Sequence, residues 1–370
     1  MDWDVIIVGA GAGGAAAACF LSKQGCRVVV LEKERLPRYK ACAGGVPPGA
    51  QRLLPFDLSP VTEAVVTDVI YALRREKRHE QPLYGEAMLM VNRADFDHYV
   101  LRQADVEIVE GAEVTALEET GGRVRVRTQE GKTYAARYLI GADGANSRVA
   151  RALGLRRGRQ LGLALEAEVT PGEEVMARYR NRALFLFGAL RKGYIWIFPK
   201  RHHLSVGIGS FGKTKEDLSA ILRREMAALD ISLEGVCETA HPLPIHLYAE
   251  PLQRGRCLLV GDAAGLVDAF LGEGIRHAVH SARLAADAIL NDDVAGYSAA
   301  VKAEISAGLA PARWAARFFY GYADLAYWCV ERNPELTRLF LRLVSGELSY
   351  GALVRRLPFL FVQSVLRRPA

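Results

Sequence analysis

The sequence predicts a mixed α/β (α+β) chain: a parallel-sheet nucleotide-binding domain, interrupted by an antiparallel-sheet domain and followed by a helical C-terminal tail. Three observations carry this. An apolar run, a glycine-rich turn and a small-residue segment open the chain in the order strand, turn, helix, strand. Two distant segments, "RYLIGADG" and "RCLLVGDAAG", run further apolar strands into glycine–aspartate turns. Between them, residues alternate with the period of strands. At 370 residues the chain has room for about two domains at ~150 residues each. The expected boundaries are 1–70, 90–160 and 250–295 for the nucleotide domain, 71–89 and 161–249 for the inserted sheet, and 296–370 for the helical region.

The opening reads "DVIIVGAGAGGAAAACFLSKQGCRVVVLEKE". Val5–Val8 form a buried strand, Ala12–Lys23 a helix and Arg27–Leu31 a second strand ending at Glu32, with Lys33 after it a further cofactor-binding candidate. Gly9, Gly11 and Gly14 fit G-x-G-x-x-G, the Rossmann-like dinucleotide pattern: a tight turn, a backbone close to the pyrophosphate, and close helix–strand packing. Glu32 stands where an acid accepts from ribose hydroxyls. The pattern alone does not choose between NAD and FAD. Downstream, a helix is expected near Asp95–Ala104, strands within Val106–Glu118 and Val124–Thr128, and a returning strand at Tyr138–Gly141 running into Asp143. Five segments, "LALEAEVT", "EVMARYR", "ALFLFGAL", "GYIWIFPK" and "LSVGIGSF", read as a mostly antiparallel sheet. In "GYIWIFPK", Tyr194, Trp196 and Phe198 share one face and Ile195 and Ile197 the other. The last nucleotide strand, Cys257–Val260, leads to Gly261 and Asp262 and a helix opening at Gly272, Gly274 and Ile275.

Val5–Ser22 is uncharged and as long as a membrane span. Gly9–Ala18 consists only of Gly and Ala, however, and Asp2 and Asp4 precede it where a signal peptide carries positive charge. Neither a signal peptide nor a transmembrane helix is expected. Six cysteines without a C-x-x-C pair argue against zinc or a disulfide framework, so no metal site is expected and a reducing, cytoplasmic setting is.

"RYLIGADGANSRVAR" and "RCLLVGDAAGLVDAFLGEGI" together resemble the flavoprotein pattern of para-hydroxybenzoate hydroxylase-like enzymes. With "YKACAGGVPPGA" and "GYIWIFPK" in this order, the chain is similar throughout to the geranylgeranyl reductase family, most of all to its short bacterial and cyanobacterial-type members. It departs from the family pattern at Ala12, Ala43, Arg191 and Ala269. The resemblance implies FAD as resident cofactor, with Gly261 and Asp262 at the ribityl chain and the helix start at Gly272–Ile275 aimed at the flavin ring. It implies NADPH or reduced ferredoxin as electron donor, a prenyl-chain small molecule or lipid as substrate, and reduction of isolated C=C bonds by flavin hydride with protonation of the alkene.

An unpolarised alkene accepts hydride only if a proton reaches its other carbon. Tyr194 and Trp196 are candidates to stabilise the developing cation, with Phe198 lining the substrate slot. Cys42 is a candidate proton donor or redox thiol, against the alternative of a small buried hydrophobe. Lys200 is either a solvated charge or a contact for an anionic headgroup. Flavin monooxygenase chemistry and flavin binding without turnover are the alternatives on this fold.

The tail carries the charge. From Leu309 to Ala370, nine arginines face four carboxylates, so +5 of the chain's formal +6 lies there. "RRLPFLFVQSVLRR" brackets ten uncharged residues between Arg355, Arg356 and Arg367, Arg368. That length is too short to span a bilayer and suits its interface, so residues 353–368 are expected to meet a membrane surface peripherally. A packed terminal helix is the alternative. No recognition motif points to nucleic acid.

Overall fold

The computed structural model describes residues 3–75, 77–83, 85–156, 160–246 and 250–366. Its first layer is an eight-stranded sheet built around five strands in parallel: Cys257–Leu259, Thr133–Gly141, Trp3–Val8, Val28–Glu32 and Glu107–Glu110, in that spatial order. Val5–Val8 and Val28–Leu31 are almost fully buried, as expected of strands covered on both faces. The helices Ala12–Ser22 and Ile275–Leu290 pack against each other over this sheet. The stretch expected as strand over Val106–Glu118 breaks at Gly111, whose φ of +70° turns the chain. Glu107–Glu110 joins the parallel core, while Val114–Thr120 pairs antiparallel with Arg123–Thr128.

A second sheet of seven strands runs in the order Thr239–Ile245, Gln160–Val169, Leu204–Ser210, Gly193–Pro199, Arg182–Phe187, Asp68–Leu73 and Lys77–Pro82. All its pairings are antiparallel except that of Arg182–Phe187 with Asp68–Leu73. "EVMARYR" is not one of its strands. Glu173–Tyr179 is a helix started by Gly172, with Glu173 and Glu174 in its first turn, where carboxylates favour the positive helix end. Its buried residues, Val175 and Tyr179, lie four apart. That spacing defeats the alternation read from the sequence. A small three-stranded sheet, Gly45–Val46, Met88–Val91 and Thr62–Val66, closes one side.

The C-terminal region is helical. Tyr297–Val301 runs through a π turn at Lys302–Ser306 into Ala307–Gly321, followed by Ala323–Arg332, Pro334–Val344 and Tyr350–Leu366. No described helix is long and apolar enough to cross a membrane.

Candidate active site

The aromatic strand lies between two environments. Ile195 and Ile197 are fully buried in a core with Val175, Leu218, Leu222 and Met226. Tyr194, Trp196 and Phe198 turn the other way, with Phe185 of the adjacent strand, into a cleft that also meets the glycine-rich turn. Neither face is solvated, as the sequence implies, but only one is pure core. Ring centroids 5.3 to 5.4 Å apart join Phe185 to Phe198 and to Tyr194. The Tyr194 hydroxyl donates to the carbonyl of Leu271, and burial pushes its pKa well above the ordinary value.

The cleft brings together Gly11, Cys42, Tyr194, Trp196, Phe198, Gly261, Asp262, Gly272, Gly274 and Ile275 from the sequence candidates. The other candidates stand elsewhere. Gly9 and Gly14 sit behind the turn: a Cβ on Gly14 would stand 1.9 Å from the Gly9 carbonyl oxygen, so their task is packing. Glu32 accepts from the Ala10 amide at 2.7 Å and the Glu34 amide at 3.0 Å, fixing the loop ends. Lys33 is exposed and pairs with Glu34. Asp143 accepts from Ser147 Oγ and from the amides of Arg148 and Val149, which starts the short helix Arg148–Ala152. Its neighbours Ala142 and Gly144 are the residues that reach the cleft.

Lys200 is neither solvated nor in the cleft lining. It is 5 % exposed, and its ammonium donates to the carbonyls of Ala43 at 2.8 Å and Val91 at 2.7 Å. It ties the Cys42 loop to the Met88–Val91 strand. Burial lowers its pKa to about 8.

Several cleft residues escaped the sequence reading. Arg93 is buried, paired with Asp97 one helical turn on, and its electrostatic partners include Cys42. An Arg and an Asp four apart on an otherwise amphipathic helix were the available signal. Lys40 Nζ and His241 Nε2 each stand 3.8 Å from Asp262 Oδ2. Burial alone would raise the Asp262 pKa, but these two groups and Arg93 pull it down to about 2. Glu166, on the strand beyond Leu204–Ser210, also lines the cleft. Its only trace in the sequence is a charge on an apolar strand.

FAD fits this cleft on two observations. Among the described residues a Cβ on Gly11 would meet the Arg38 side chain alone, at 3.6 Å, so none of them demands glycine there and the open space suits a pyrophosphate. The helix Ile275–Leu290 starts at Gly274 without a side-chain cap. Its first-turn amides therefore face the cleft as a positive helix end suited to a reduced flavin.

A parallel nucleotide-binding sheet, a glycine-rich turn and an uncapped helix start around one cleft define a flavoprotein of the FAD-binding class. The chain belongs to the FAD binding domain family, which it matches over residues 2–291, and within it is an FAD-dependent oxidoreductase of geranylgeranyl reductase-like type. It is 31 % identical to digeranylgeranylglycerophospholipid reductase 2 of Methanopyrus kandleri, covering 79 % of each chain. It is 30 % identical to geranylgeranyl diphosphate reductase of Synechocystis, covering 77 % of this chain and 75 % of that one. In fold it is similar to a geranylgeranyl bacteriochlorophyll reductase-like protein from Thermoplasma acidophilum, with a TM-score of 0.81 at 21 % identity over 97 % of this chain and 99 % of that one.

Proposed function

We propose that this protein reduces isolated C=C bonds of a polyprenyl, geranylgeranyl-type chain. The observation that carries the reading is one cleft joining the glycine-rich turn and the Gly272–Ile275 helix start to the aromatic face of Tyr194, Trp196, Phe198 and Phe185. When bound, reduced FAD would supply the hydride, its two electrons coming from NADPH as a hydride or one at a time from two reduced ferredoxins with a proton taken from water.

The chain's own residues do the rest. The aromatic face excludes water and presents π-electron density to the carbon that becomes electron-poor as the alkene is protonated, worth ~0.5 to 2 kcal/mol depending on desolvation. Cys42 carries the candidate proton at the cleft wall, where its Sγ accepts from the Gly44 amide at 3.4 Å. Asp262 stays ionised across the working range and can accept from ligand hydroxyls.

Access to the substrate supports an enzyme peripheral to a membrane, and its free cysteines support a reducing, cytoplasmic setting. Trp314 (64 %), Phe359 (67 %) and Leu366 (77 %) are exposed on the C-terminal helices, beside the exposed Arg355 and Arg356. Arg367 and Arg368 lie outside the described residues. Trp314, Phe318, Leu325 and Phe361 also rim a second, apolar cavity whose inner wall includes Phe187 and Phe340. Phe187 contacts Tyr194 of the first cleft at 5.6 Å between ring centroids. Exposed apolar surface flanked by arginines suits an anionic bilayer. Reoxidation of the reduced holoprotein by a geranylgeranyl compound in the absence of oxygen tests the reaction. Reoxidation only by oxygen, with hydroxylation of an added aromatic, would replace it with monooxygenase chemistry.

A further inference from the structure

Glu166 is 3 % exposed, on the strand Gln160–Val169, directly opposite Gly207. Gly207 is in turn opposite Trp196. The three residues form one row across three strands, and the missing side chain at Gly207 leaves the space the indole occupies. Glu166 Oε1 accepts from Ser205 Oγ at 2.7 Å, and Ser205 Oγ accepts from Trp196 Nε1 at 3.2 Å. Glu166 Oε2 accepts from the backbone N–H of Cys42. One carboxylate thus holds both a residue of the glycine-rich Cys42 loop and the central residue of the aromatic strand.

A buried carboxylate is retained at a substantial desolvation cost unless its oxygens are satisfied. Here both are, by neutral donors from the two walls that meet at the cleft. Burial still raises the Glu166 pKa against these bonds. The Cys42 loop has a second tether in Lys200, which binds the next carbonyl, that of Ala43. Among the described residues, the indole of Trp196 is held through its ring nitrogen by Ser205.

We propose that Glu166 is a positioning residue that locks the Cys42 loop and the Trp196 indole to one another, so that thiol and aromatic face form a single preformed wall. Its consequence for turnover rests on the prenyl-reductase reading; the tie itself does not.

The test uses FAD-loaded protein with Glu166→Gln and Ser205→Ala. The rate of alkylation at Cys42 by N-ethylmaleimide is read by peptide mass spectrometry, with the other cysteines as internal controls. The Trp196 ring is read by fluorine NMR of fluorotryptophan-labelled protein, its resonance assigned by loss in Trp196→Phe. A glutamine offers one acceptor where the carboxylate offers two, so Glu166→Gln should raise Cys42 alkylation about tenfold and shift or broaden the Trp196 resonance. Ser205→Ala should move the Trp196 resonance and leave Cys42 alkylation unchanged. Both variants should slow alkene reduction while flavin reduction by dithionite keeps its rate.

Wild-type behaviour of both probes in Glu166→Gln overturns the proposal, as does equal acceleration at all six cysteines, which would mean general loosening. If Glu166→Gln does not fold, an unmoved Trp196 resonance in Ser205→Ala overturns it alone. If both probes respond as expected but no protein, wild type included, consumes a prenyl chain, the reading of the reaction fails and the tie stands.

Discussion

The indole of Trp196 lies across Gly207 on the neighbouring strand, so closely that a Cβ built on Gly207 would stand 2.1 Å from the ring and 2.4 Å from the Leu165 carbonyl oxygen. Gly207→Ala must therefore displace the ring or the strand, an overpacking that destabilises by about 1 to 3 kcal/mol. Because Gly207 itself is not among the cleft-lining residues, FAD should remain bound while alkene reduction falls. Urea denaturation and flavin absorbance check the two halves; a fully active variant of unchanged stability would contradict the placement of the indole.

The Gly11 position reads the cofactor. Its neighbourhood is open on the protein side, so Gly11→Val should fold with near-normal stability and lose FAD, because the side chain takes the space of the pyrophosphate. The flavin-to-protein ratio after purification measures this. Yellow protein at wild-type stoichiometry would contradict the assignment.

Lys200 gives a pH dependence. Its folded pKa of about 8 lies below the ordinary 10.5 because burial disfavours the ammonium. Below pH ~8 folded and unfolded chains both carry the proton, and the buried charge weakens the fold. Between ~8 and ~10.5 the unfolded chain holds more protons than the folded one, so this site's contribution to stability rises with pH. Lys200→Met removes that rise. The difference in unfolding free energy between wild type and variant should move toward wild type, by on the order of 3 kcal/mol, from pH ~7 to ~11. A difference that does not change with pH would contradict the burial of the ammonium.

The membrane surface is read by liposome flotation. Replacing Arg355, Arg356, Arg367 and Arg368 by Gln should release the protein from anionic vesicles at low salt, each arginine near the surface adding ~1 kcal/mol. Trp314→Ser with Phe318→Ser should weaken binding at high salt too, since screening leaves apolar contacts intact. Equal flotation of wild type and both variants would contradict this surface. If no protein floats, the terminal helix is simply packed.

Much of the architecture was legible because it rests on local rules. The glycine spacing from Gly9 to Gly14 and the alternation in "GYIWIFPK" each encode one geometry. Glu173–Tyr179 misled because a seven-residue helix with two buried positions holds too few periods to separate 3.6 from 2. The site was legible where the backbone defines it, at Gly11, Gly261, Gly272 and Gly274. It was not legible where long-range contacts do. Nothing near Glu166 announces that residues 42 and 205 will supply its donors, and nothing near Lys200 announces the carbonyls of residues 43 and 91. Asp143 and Glu32 also have local tasks that their motif positions do not announce: Asp143 holds amides of its own turn, and Glu32 holds those of Glu34 and of Ala10 in the glycine-rich turn.

The most direct measurement is a single turnover without oxygen. FAD-loaded wild type and Trp196→Ala, each reduced by dithionite, are mixed with a geranylgeranyl compound while flavin absorbance and product mass are followed. Wild type should reoxidise as the product gains two hydrogens per bond reduced, while Trp196→Ala should keep its FAD, be reduced at the wild-type rate and reoxidise roughly tenfold more slowly, in line with the loss of one cation-π contact. Wild-type flavin that stays reduced in the presence of the prenyl chain would contradict it, as would a Trp196→Ala protein that turns over at the wild-type rate.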